Sequence, residues 1–191
     1  MDDGNKISNI IPAELREMML EEQTAMKDVQ AFKVIAESRG RVAKALKEKS
    51  MLFHSYLESS DKFLRSHLGS RMHLVILYAD IVNSTRMSTV LPLEKLTTIL
   101  QIFAQEMTVV VANNHGYILK YVGDAIIVYF PVDTAVDFNV SSERAVVCAL
   151  QMLLVVEHGI NAIFKQFDFP EVHIKIGIDS GENAIIEYGS S

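Results

Sequence analysis

The chain has one cysteine in 191 residues, so no disulfide can close within it and no cysteine-based zinc site can form. That residue, Cys148, lies in the apolar run "AVVCALQMLLVV" and reads as a small packing residue. The same run is the longest candidate for a bilayer crossing and falls short of one, so no membrane partner is expected. The opening "MDDGNK" lacks the basic flank and apolar segment of an export signal, from which a cytoplasmic location follows as an expectation. Basic residues are outnumbered 18 to 24, and a net charge of -6 offers no global attraction for nucleic acid. A phosphate-bearing small molecule can still bind through local donors. The six histidines show no His-Glu-x-x-His spacing, and neither an internal repeat nor a low-complexity segment is found.

What is present is a chain of 49% hydrophobic residues, enough for one well-buried domain and an accessory segment. Residues 1–69 read as a helical arm or hairpin. "PAELREMMLEEQTAMKDVQAFKVIAES" consists of good helix formers after Pro12, Gly40 is expected to interrupt it, and "RVAKALKEKSMLFHSYL" forms a second run. Ser60 or Asp61 then caps a short helix ending near Leu68. The basic cluster Arg39, Arg41, Lys44, Lys47 and Lys49 reads as a solvated helix face.

From residue 70 the pattern changes. "MHLVILYADI" is a buried strand and "LEKLTTILQIFAQEMTVVVANN" an amphipathic helix. "YILKYV" and "AIIVYF" form a hairpin around Gly123-Asp124. A helix from about Ser142 to Phe167 and the strand "VHIKIGID" follow. The order β-α-β-β-α-β predicts an α+β, ferredoxin-like fold: an antiparallel sheet with helices on one face.

The right-handed crossover makes the first two strands parallel, with the third antiparallel between them. The end of the first strand then meets the start of the third, so Asp80 and Asp124 are expected to converge. Alone, Asp80 reads as a turn or N-cap residue and Asp124 as a turn residue. Together they form a pair of anions that raises a pKa or recruits a cation, and all-oxygen ligation suits magnesium or manganese. "IVNST" after Asp80 enters a helix, where free N–H groups favour phosphate. Asp179 and Glu182 read as ordinary turn residues.

"LYADIVNST", "GYILKYVGDAIIVYF", "ERAVVCALQMLLVV" and "VHIKIGIDSGE" occur in this order, and with them the sequence resembles the class III adenylate/guanylate cyclase catalytic domains from about Met72 onward. The resemblance implies two Mg2+ or Mn2+ ions per active site, held by Asp80, Asp124 and the Ile81 carbonyl. It implies a triphosphate cradled by Ile81, Val82, Asn83, Ser84 and Thr85. Asn83 stands where many relatives have glycine. Lys120, four residues before Asp124, matches the lysine that reads adenine, and it serves the site of the other protomer. The implied activity is conversion of ATP to cyclic AMP and pyrophosphate by a homodimer, or by a pair with a related cyclase domain.

The chain ends in "GENAIIEYGSS", before the family segment that carries the second purine-reading residue and the transition-state asparagine and arginine. The expectation is therefore a cyclase domain over residues 70–191 whose C-terminal part is missing and which is inactive alone. The rival reading is a noncatalytic cyclase-like module that binds nucleotide and dimerises in signalling, with the helical arm contacting a protein partner. A diguanylate cyclase ranks low because "VGDAI" lacks the Gly-Gly-Asp/Glu-Glu-Phe signature. A ferredoxin-like RNA binder ranks low because Tyr78, Tyr121 and Tyr129 read as packing residues on a chain of the wrong charge.

Overall fold

A computed structural model describes residues 13–48, 56–132 and 135–187. Helices α1 (Ala13–Glu48) and α2 (Tyr56–Ser66) precede strand β1 (Arg71–Ile81). Short α3 (Ser84–Val90) and long α4 (Leu93–Asn113) lead to the hairpin β2 (Tyr117–Val122) and β3 (Ala125–Val132). Helix α5 (Ala135–Leu154) continues through a π turn (Val155–Ile160), α6 (Asn161–Phe164) and a 3-10 turn (Lys165–Phe167) before β4 (Ile174–Ala184).

The sheet order is β2-β3-β1-β4, and every neighbouring pair is antiparallel. The expected α+β, ferredoxin-like architecture is therefore the one observed, with β3 between β2 and β1. Period-2 alternation divides β1 between two faces. Val75, Leu77, Ala79 and Ile81 face the helices in the main core with Ile126, Val128 and Phe130 of β3. Leu74 and Tyr129 enter a second, smaller cluster on the other face, covered by Phe63 and Leu64 of α2. The hairpin turns at Gly123, whose φ of 63° is a conformation that favours glycine.

Helix α1 belongs to the main core. Val34, Val42 and Ala45 are buried among the residues of α4, α5 and the sheet. Gly40 does not interrupt it: the helix runs unbroken for 36 residues, and its docked side outweighs the roughly 1 kcal/mol propensity cost of one helical glycine. Nor is the basic cluster only a solvated face. Arg41 makes a paired contact with fully buried Glu106 (Nε–Oε1 3.0 Å, Nη2–Oε2 2.8 Å), and Arg39 Nε donates to the His158 carbonyl at 2.7 Å. Gly159 lies so close to α1 that an added Cβ would sit 2.5 Å from Ser38 Oγ. Lys49 and the junction at residues 49–55 lie outside the described residues.

Three further boundaries differ from expectation. Ser60 and Asp61 lie inside α2 and do not cap it, because the buried Ser60 hydroxyl is turned to Tyr129, 3.0 Å away. Helix α5 begins at Ala135, ahead of Ser142. Strand β4 runs from Ile174 to Ala184 and so contains Asp179 and Glu182; the latter pairs with Arg71 at 3.0 Å. The run "AVVCALQMLLVV", expected to be too short, is part of the stretch Phe138–Phe167, which is long and apolar enough to cross a membrane. Half of its most apolar window is buried, with Ala145, Cys148, Met152 and Val155 packed in the core.

Candidate functional site

The register of the sheet builds the site. Asp80, near the end of β1, faces Ala125 at the start of β3 on one side and Lys175 of β4 on the other. Asp124 occupies the hairpin turn just before Ala125, so the two aspartates predicted to converge do lie together. The Asp124 carboxyl hydrogen-bonds with Asp80 and with the Ser84 side chain, while Lys175 Nζ sits 2.9 Å from Asp80 Oδ2. These groups line one cleft of about 750 Å³ together with Asn83 and Arg86.

Burial by itself pushes the Asp124 carboxyl up. A hydrogen bond from Ser84, a proton shared with Asp80, a hydrogen bond from its own backbone N–H and the Lys175 charge outweigh burial and hold it below the usual carboxylate range. The Lys175 ammonium is raised by its hydrogen bond and charge pairing with Asp80. Asp124 Oδ2 is buried and has no hydrogen-bond partner among the described residues. An acceptor in that state is costly unless something positive completes it. The donor set of Asp80, Asp124 and the Ser84 hydroxyl is all oxygen, which fits a hard divalent cation. Among the described residues no group of three His, Cys, Asp or Glu side chains is arranged to hold a metal, so two carboxylates must rely on main-chain, hydroxyl, water or ligand oxygens.

The loop after Asp80 divides by residue. The Ile81 side chain is 1% exposed in the core, leaving only its main chain to face the cleft. Val82 donates its N–H to the His173 carbonyl at 2.8 Å and has none to spare for phosphate. Asn83 adopts the left-handed conformation (φ 59°, ψ 26°) that asparagine tolerates better than most residues, and its carbonyl accepts the Met87 N–H. Asn83, Ser84 and Thr85 line the cleft. Lys120 does not. It stands on exposed β2 in the row Lys120, Ile127, Tyr78, Gly177, on the sheet face that carries Asp80 but two strands from β1.

Arg86, Thr89 and Lys175 line the cleft without having been read from the sequence, and of these Lys175 is the one that touches a predicted site residue. The alternation His173-Ile174-Lys175-Ile176 marks it as a polar position in a strand, but nothing local shows that β4 pairs with β1 or that Lys175 falls opposite Asp80. Cys148 is fully buried and its thiol is pushed up to about 12 by burial, so it has no part in the site.

The family model of the adenylate and guanylate cyclase catalytic domain matches residues 69–189. Among solved structures, the guanylyl cyclase Cya2 is similar at 29% identity and a TM-score of 0.54, over 60% of this chain and 56% of that one. The adenylyl cyclase CyaB from P. aeruginosa is similar at 24% identity and a TM-score of 0.55, over 59% and 58%. A class III adenylyl cyclase-like ATP-binding protein from Pseudomonas aeruginosa shares the fold at 21% identity and a TM-score of 0.52, over 59% of this chain and 25% of that one. The chain thus spans a little over half the length of the first two. No curated protein sequence matches it.

Proposed function

The chain belongs to the family of adenylate and guanylate cyclase catalytic domains, and from this premise we propose that its cleft binds a divalent-metal complex of ATP for conversion to cyclic AMP and pyrophosphate. The observation that carries the reading is the buried, unpartnered Asp124 Oδ2 beside Asp80 at the mouth of a polar cleft. Asp80 and Asp124 would hold Mg2+ or Mn2+ there, two ions per site, with the Ile81 carbonyl as a further ligand. Bound ions supply Lewis-acid activation of the ribose 3′-hydroxyl and neutralise charge on the leaving pyrophosphate.

The chain's own residues prepare that reaction. Ser84 orients Asp124 by hydrogen bonding. Asn83, Ser84 and Thr85 face the triphosphate, and Val82, tied to His173, keeps the loop closed against β4. Lys175 pairs with Asp80 at the cleft, where its ammonium would also be placed to pair with the phosphate oxygens of a bound nucleotide. In the reaction the 3′-oxygen forms a bond to the α-phosphorus, the bond to pyrophosphate breaks, and the hydroxyl proton passes to solvent. Lys120 lies on the open face yet outside the cleft of its own chain, which supports its assignment to the adenine of a nucleotide held by a second copy.

The test is a titration of the protein with Mn2+-ATP and Mn2+-GTP, with product analysis. Metal-dependent binding that prefers ATP supports the reading, and cyclic AMP among the products would identify a catalyst. Metal-independent binding, or equal affinity in the wild type and Asp124→Asn, removes the aspartates from the site.

A further inference from the structure

Among the described residues strand β4 is an edge strand, paired laterally with β1 alone, and its first ladder pair is Ile174 with Ile81. Strand ends at an edge fray unless something outside the ladder holds them. Just ahead of that pair, Asn161 grips the main chain of Val172 from both sides. Its Nδ2 donates to the Val172 carbonyl at 2.8 Å, and its Oδ1 accepts the Val172 N–H at 2.9 Å. Both residues are buried, Asn161 at 6% and Val172 at 1% exposure. The next residue, His173, accepts the Val82 N–H from the loop after Asp80, and two residues further Lys175 meets Asp80. The clamp is thus one residue from the loop and three from the cleft lysine.

Asn161 is itself fixed. Its N–H closes the π turn by donating to the Val156 carbonyl, five residues back, and the turn is packed against α1 through Arg39 on His158 and Ser38 on Gly159. A buried carboxamide with both ends engaged is worth more as a fixture than as packing volume, because losing either end strands a main-chain group of Val172.

We propose that Asn161 is a positioning residue for the cleft: by clamping Val172 it sets where His173 holds the loop and where Lys175 meets Asp80. The proposal rests on the nucleotide reading only for its consequence in binding. Its structural part stands on the amide of Val82.

Amide hydrogen exchange of the full chain, read residue by residue, tests it in wild type, Asn161→Ala and Asn161→Asp. In Asn161→Ala the Val82 and Val172 amides exchange about tenfold faster or more, while the Gly69 amide, bonded to the Ile185 carbonyl at the far end of the sheet, keeps its protection. Asn161→Asp retains the acceptor and regains the donor only when protonated. Relative to Gly69, its Val82 protection therefore returns between about pH 8 and about pH 5, a rescue that Asn161→Ala lacks. Unchanged Val82 protection in either folded variant overturns the proposal, as does loss of protection shared equally with Gly69. Asn161→Asp also serves if Asn161→Ala does not fold. Mn2+-ATP affinity falls about tenfold in Asn161→Ala, the scale of lost outer-shell support. That loss is non-additive with Lys175→Met, and full additivity would refute action through β4. If the wild type binds no Mn2+-ATP, the nucleotide reading fails while the exchange data still decide the role of Asn161.

Discussion

The face of the sheet away from α4 and α5 has two ends, built alike and finished differently. At one end α2 lies over it: Phe63 stacks on Tyr117 (5.0 Å between ring centroids), Tyr117 stacks on Tyr129 (5.2 Å), and Ser60 meets the Tyr129 hydroxyl in a buried hydrogen bond. There the Tyr129 hydroxyl is paired and its ring is covered. At the other end the same strands present Asp80, Asp124 and Lys175 to a cleft, and Asp124 Oδ2 is left without a partner. Strands that alternate identically thus serve stability where a helix covers them and chemistry where none does.

Removing the cover should produce the largest effect. Phe63→Ala is expected to cost about 3 kcal/mol in a denaturant titration, the low end for a buried phenylalanine because Phe63 is only half-buried. Mn2+-ATP affinity should stay within about twofold of wild type. A matching loss in affinity would show the two ends to be one cooperative unit.

The mirror-image change is Asp124→Asn at the open end. It should weaken Mn2+-ATP binding by at least about tenfold, since losing a ligand exceeds losing a ligand's support, and lower neutral-pH stability only slightly. It should also alter the acid limb. The Asp124 pKa is depressed in the fold, so its contribution is present above an unfolded value of about 3.9 and is lost as pH falls through the folded value. Acid titration of metal-free wild type and Asp124→Asn compares the two limbs, and identical limbs would refute the carboxylate's role.

The covered end should respond to alkali instead. Burial pushes the Tyr129 phenol up to about 12, so the fold holds the neutral form. That contribution is complete below about pH 10 and disappears as pH rises from there toward the folded value. Tyr129→Phe should cost about 1 kcal/mol at neutral pH for the lost hydrogen bonding and flatten the alkaline decline, as followed by circular dichroism.

The smallest expected effect sharpens the open end. Lys175→Met removes a competing charge from Asp80 whose lysine end is exposed and screened, so Mn2+ alone should bind only a few-fold tighter, up to about fivefold. Mn2+-ATP should bind more weakly, because a phosphate partner is gone. Changes of the same sign in isothermal titrations of the two ligands would show that Lys175 acts on only one of them.

Much of the open end was legible in advance. The apolar run before Asp80 and the Gly-Asp pair between two β-branched segments mark strand ends locally, and the crossover rule brings those ends together. The covered end was less so. Ser60 looked like a helix cap because serine caps commonly do, whereas its hydroxyl serves a tyrosine 69 residues away. Arg39 and Arg41 looked solvated because their partners, the His158 carbonyl and Glu106, lie 119 and 65 residues on.

Local pattern by itself determined the α+β class, the hairpin and the meeting of Asp80 with Asp124, since periodicity, turn chemistry and crossover handedness act over short range or by general rule. Only the tertiary structure decided that β4 runs beside β1, putting Lys175 on Asp80 and His173 on the phosphate loop. It alone docked α1 against the π turn and laid α2 over one end of the sheet. Those outcomes depend on which distant surfaces bury each other best, a free-energy comparison over the whole chain that no short window of residues contains.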